Sequence, residues 1–190
     1  MKLLAPLSYL RIKHDEKLRY DLWYPLFGTI LITVVYLFMD KPFSLLGKNG
    51  LVPQVNGLLQ VLIGFYIAAL AAISTFSNPA IDETMAGKSP VITEEYRGKR
   101  IEVPLIRRRF LCFLFGYLAL ISFIVFGFGV LASLFTDSIV SIVSMIPFTY
   151  ATKMAKLLFL FLYSLVLLNM VTTTLLGLYY LAVRIHQPND

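Results

Sequence analysis

The sequence predicts an all-α integral membrane protein: four transmembrane helices, both termini cytoplasmic, and a short cytoplasmic hairpin between helices 2 and 3. Three observations carry this. Hydrophobic residues make up 58% of the 190 and charged residues only 15%, for a mean hydropathy of +0.75, where a soluble domain has roughly 45–50% and about 25%. Four long stretches contain no charged residue. The lysines and arginines between those stretches crowd into alternate connections. The chain, residues 1–190, reads as one membrane domain.

The uncharged runs are residues 22–39, 57–76, 110–135 and 157–183. A bilayer core of about 30 Å takes roughly 20 helical residues to cross. Lipid offers the backbone no hydrogen-bond partner, so runs of this length must be helices. The last two exceed the minimum and should tilt or protrude. Orientation follows from the basic residues. Five precede the first run, seven lie in the connection 77–109, and Arg184 follows the fourth, against four in the other two loops together. Thirteen against four places both termini in the cytoplasm. Arg107, Arg108 and Arg109 are expected to anchor the third helix on that side, with Trp23 anchoring the first. Tyr20, Tyr24, Tyr179 and Tyr180 complete an inner aromatic belt. The net charge of +6 is then topology information. The bilayer is the expected partner, and no direct contact with nucleic acid is expected.

The segment 3–19 reads as a basic amphipathic helix lying on the inner surface, with Leu3, Leu7 and Leu10 on its apolar face, or as a simple basic anchor. It lacks the length and cleavage pattern of a secretory signal peptide. In the connection 77–109, Pro79 ends the second helix. From Val91 to Val103, strand-forming residues flank Arg97-Gly98-Lys99, the pattern of a hairpin. An isolated hairpin is marginal in water, so this one needs a surface: a second subunit, the N-terminal segment, or another protein. Arg97, Lys99 and Arg100, with Glu94 and Glu95, are the candidate partner-binding residues. Outside the membrane, 40–56 reads as turns. Residues 137–150 read as an amphipathic segment with Ser138, Ser141 and Ser144 on one stripe, either interfacial or lining a polar vestibule.

Within the spans, Gly64, Ala68 and Ala72 recur every four residues, as do Gly129 and Ser133. Small residues at this spacing allow close backbone approach between helices, within one chain or between copies. The mid-span amides Gln60 and Asn169 are candidates for polar contacts across helices. No Asp, Glu, Lys, Arg or His falls inside the four runs, which speaks against a proton-coupled transporter. Neither His14 nor His186 has metal-ligand spacing, and Cys112 stands alone. No nucleotide, zinc-protease or nucleophile-elbow motif is present. The adjacent pairs Asp82-Glu83 and Glu94-Glu95 lack acid–base partners. No enzymatic activity, cofactor or metal is expected.

This layout, with the segment 77–87 (Ser-Asn-Pro-Ala-Ile-Asp-Glu-Thr-Met-Ala-Gly) followed by Arg107-Arg108-Arg109-Phe110, resembles the membrane subunits of the bacterial Kiwa anti-phage defence system. The resemblance is one of architecture. It implies a homo-oligomer in the bacterial inner membrane that senses phage attack and acts through a soluble cytoplasmic partner. Alternatives from other classes are a pore-forming effector that depolarises the membrane, and a small uncoupled transporter.

Overall fold

A computed structural model of the protein describes residues 2–47, 49–75, 77–85, 89–96, 98–145 and 150–184. The chain is mostly helical, and four helices are long and apolar enough to cross a membrane: Arg19–Phe38, Leu51–Thr75, Arg107–Leu134 and Thr152–Ala182. In chain order, a 3-10 helix (Lys2–Arg11) and one π-helical turn (Arg19–Trp23) lead into α1 (Tyr24–Phe38). Next come α2 (Leu51–Thr75), strands β1 (Val91–Tyr96) and β2 (Lys99–Pro104), α3 (Arg107–Leu134), α4 (Thr136–Ser144) and α5 (Ala151–Ala182).

Helix α2 packs on α3, α3 on α5, and α5 on α1. Helix α3 is the hub: half of its most apolar stretch is buried, against about a fifth for the others. Two glycines set its spacing. A Cβ on Gly129 would lie 2.5 Å from Asn56 Oδ1 and 3.0 Å from Val52 of α2. A Cβ on Gly177 of α5 would lie 2.8 Å from Leu114 of α3. The expected small-residue contact is therefore made inside the chain at Gly129, while Ser133 is half-buried. The one at Gly64, Ala68 and Ala72 is not, since all three are exposed and nothing approaches the Gly64 Cβ position within 4 Å.

Two expected boundaries shift. Helix α2 begins at Leu51, inside the stretch 40–56 that reads as turns. Pro53 lies in its first turn, where a missing N–H leaves no helical bond unmade. Nor is the N-terminal segment one continuous amphipathic helix. Its first part is a 3-10 helix, with three residues per turn, so Pro6, Tyr9 and Ile12 share a face. Pro6 lies against Gly116 of α3, Tyr9 stacks on Tyr117 with ring centroids 5.0 Å apart, and Tyr9 and Ile12 are buried. The Leu10 of the expected apolar stripe is 53% exposed. This segment packs along α3 rather than standing apart from the bundle.

The hairpin forms as the sequence predicts, with Glu95 opposite Arg100, Tyr96 opposite Lys99, and Gly98 at φ +76° in the turn. Its surface is the N-terminal segment: Lys13 and Val91 exchange backbone hydrogen bonds of 2.9 and 3.1 Å. Lys13 also reaches Glu102 at 2.7 Å.

The two glycine sites make opposite predictions. Gly129→Leu overpacks the α2–α3 contact and should cost about 1–3 kcal/mol, read as a lowered thermal midpoint in detergent. Gly64→Leu should leave the stability of the single chain within about 0.5 kcal/mol of the parent.

Candidate functional site

The polar chemistry of the bundle gathers where the N-terminal segment passes α3 and α5, and a proline puts it there. Pro25 has no N–H, so it cannot return a hydrogen bond to a carbonyl one turn back. The helix opens into a π turn in which the Tyr24 N–H bonds Arg19 O. The carbonyls of Tyr20 and Asp21 then take their donors from α5. Thr172 Oγ1 donates to Tyr20 O at 2.9 Å, and Asn169 Nδ2 donates to Asp21 O at 2.8 Å.

That arrangement brings Asp21 into the bundle, although it lies one residue outside the uncharged run 22–39. Its carboxylate meets Lys17 Nζ at 2.7 Å and accepts from the Tyr9 hydroxyl at 2.9 Å. The side chains of Lys17 and Asp21 are only 16% and 13% exposed. The Lys17 ammonium also sits 4.6 Å from the Tyr9 ring centroid, a cation–π distance. Tyr117 completes the circuit by stacking on Tyr9 and donating to Asn169 Oδ1 at 2.8 Å. Burial, reinforced by the charge of Asp21 and the hydrogen bond to it, pushes the Tyr9 phenol well above its ordinary value of 10. Tyr9 thus stays a neutral donor.

The expected site residues divide clearly. Asn169 makes the interhelical contact expected of a mid-span amide. Gln60 does not: its side chain is exposed on α2 and bonds no other helix among the described residues. Of the hairpin residues, Lys99, Arg100 and Glu95 are exposed, and Arg97 lies outside the described residues. Glu94 is engaged within the chain, bonding Arg109. Ser138 and Ser141 are exposed on α4, while the Ser144 side chain lies outside the described residues. Trp23 is 58% exposed at the π turn.

The arginine triplet is tied to the connection before it. Arg107 donates to Ala80 O at 3.2 Å, and its N–H to Glu83 O at 3.0 Å. Arg108 grips the Asp82 carboxylate with two bonds of 2.7 and 2.9 Å and reaches Ile73 O at 2.7 Å. The Arg108 hydrogen bonds hold the Asp82 carboxyl below its usual range.

Sequence reasoning missed Tyr9, Lys17, Asp21 and Tyr117. The available signal was Pro25: a proline early in a span frees carbonyls that something must satisfy. The network can hold a charge pair among helices and fix the N-terminal segment. Lys17→Met should cost about 3–5 kcal/mol because it strands a buried carboxylate. Asn169→Leu, which removes two interhelical bonds averaging about 0.6 kcal/mol each in membranes, should cost less. Chemical or thermal unfolding of the purified chain checks the order. No protein-family model matches the chain, and no curated protein or solved structure matches it either.

Proposed function

We propose that the chain is a multi-pass protein of the bacterial inner membrane, with both termini and the hairpin in the cytoplasm, that acts as a sensor and scaffold. In this reading it does no catalysis of its own. It assembles with further copies and couples a membrane event to a soluble cytoplasmic partner. One observation supports this most directly: the N-terminal segment belongs to the bundle and to the hairpin at once. Tyr9 is packed on α3 and bonded to Asp21, and four residues later Lys13 pairs with the edge of β1. A shift of α3 against α5 would therefore pull on the hairpin.

The partner surface in this reading is the hairpin tip, with Lys99, Arg100 and Glu95 exposed and Arg97 beside them in sequence. The copy-to-copy surface is the exposed α2 face of Gly64, Ala68 and Ala72. Gln60 stands on the same line four residues earlier, and an amide facing lipid gains from a partner on another helix. The resemblance to the Kiwa membrane subunits supplies the event, phage attack.

Affinity capture of the tagged chain from its native host in mild detergent, followed by native-size analysis and mass spectrometry, tests the proposal. A stoichiometric soluble partner on an oligomeric core is expected. Lys99→Glu with Arg100→Glu should remove the partner and keep the oligomer. An oligomer that captures no soluble protein defeats the scaffold reading and favours a pore, which liposome ion flux would then measure. In that case Ser141→Leu should block conduction.

A further inference from the structure

The hairpin leaves an edge open. In an antiparallel pair, successive residues turn their backbone groups alternately toward the partner strand and away from it. The Leu105 N–H bonds Pro90 O at 2.9 Å, which fixes that alternation along β2. Ile101 and Val103 then face β1, and the backbone groups of Arg100, Glu102 and Pro104 point outward. On the far side of β1, the outward groups of Val91 are taken by Lys13. Along β2, no described residue bonds the outward groups of Arg100 and Glu102.

The side chains are incomplete in the same place. Ile92 is buried and Glu94 bonds Arg109 of α3, so their face of the sheet is turned to the bundle. Ile101 lies opposite Glu94 on that face, yet it is 42% exposed. On the other face Arg100 and Glu102 are exposed. Lys13 holds Glu102 through Oε1 alone, and the Glu102 side chain stays 56% exposed.

Charges and a proline on a strand edge block most pairings. Here they leave one. Setting Glu102 opposite Glu102 of a second copy opposes like charges and puts Arg100 against Pro104, which has no N–H. Setting Arg100 opposite Arg100 again opposes like charges and puts Glu102 against Gly98 in the turn. Setting Arg100 opposite Glu102 opposes unlike charges twice, and each such pair exchanges both of its N–H···O bonds. Ile101 then meets Ile101 on the bundle face.

We propose that β2 pairs antiparallel with β2 of a second copy, Arg100 opposite Glu102, so that two hairpins form one continuous sheet. The contact is self-complementary and closes on two copies. Its two-fold axis stands perpendicular to the sheet, which puts both bundles on the same side of it, as two copies in one membrane require. The pairing rests on the assembly of copies proposed above, not on the soluble partner, and it adds a contact to that of the α2 face.

The test is the full chain carrying Cys112→Ser and Ile101→Cys, oxidised in isolated membranes with copper phenanthroline and read on a non-reducing gel. Opposed residues that share no ladder bonds have Cα atoms about 4.5 Å apart, within reach of a disulfide. A disulfide-linked dimer is expected. Lys99→Cys in place of Ile101→Cys should give about fivefold less, because the matching residue lies roughly 13 Å along the strand. Arg100→Glu added to Ile101→Cys opposes like charges twice and should lower the dimer about fivefold. Adding Glu102→Arg to that chain should restore it. Equal dimer from Lys99→Cys and Ile101→Cys overturns the proposal, as does a yield that Arg100→Glu leaves unchanged. A disulfide to a different protein overturns the second copy as the occupant. An Ile101→Cys chain that is oligomeric by native size yet forms no disulfide overturns the strand pairing and leaves the assembly reading standing. A chain that is monomeric by native size overturns both.

Discussion

The missing N–H of Pro25 is the constraint on which the arrangement depends. Together with the change of register in the π turn before it, it leaves the carbonyls of Tyr20 and Asp21 to donors outside their own helix, and in a bilayer an unsatisfied carbonyl costs several kcal/mol. Asn169 and Thr172 of α5 supply the donors. Once they do, the first helix is locked to the last at a fixed height and rotation. Asp21 is then turned into the bundle, and a buried carboxylate requires a cation and a hydrogen-bond donor. Lys17 and Tyr9 meet both needs, and Tyr9 can reach only because a 3-10 helix lays it against Tyr117. The position of the N-terminal segment is thus tied to the turn before Pro25 as well as to α3.

Around this lock, the bundle is asymmetric. Helix α3 is contacted by α2, by α5 and by the N-terminal segment, and among the described residues it contributes more of the fully buried side chains than any other element, among them Leu111, Leu114, Phe115 and Leu118. Helix α1 touches chiefly α5 and exposes Phe27, Leu31 and Phe38. In water such exposure would drive aggregation; in lipid it is the ordinary outer surface of a span. The α2 face of Gly64, Ala68 and Ala72 differs from that surface, because small residues present little side chain to lipid and permit a second helix to come close.

The connection between α2 and α3 shows how one set of charges can serve two ends. Arg107, Arg108 and Arg109 form the strongest topology signal in the sequence. They also bond Ala80, Asp82, Ile73 and Glu94 within the chain. Those contacts fold the connection back onto the ends of α2 and α3, which leaves the hairpin tip as its projecting part. Isolated ion pairs at an exposed surface contribute little. Here the bonds to backbone carbonyls matter more, since they satisfy groups at a helix end.

The sequence alone determined the number and approximate limits of the long helices and the existence of the hairpin. Both are local properties: hydrophobicity sums along a run of residues, and a glycine at positive φ between strand-forming residues marks its own turn. Asn169 and Gln60 were both legible as candidates for interhelical contact, as amides in apolar runs. The tertiary structure decided which faces are buried. A span that is apolar on every side carries no stripe to show which side meets a neighbour, so nothing local separates Gln60, left outside, from Asn169, turned inside. The central network joins residues up to 152 positions apart. Its members are ordinary in sequence, and they become a site only when the helix rotation set at Pro25 brings them to one place.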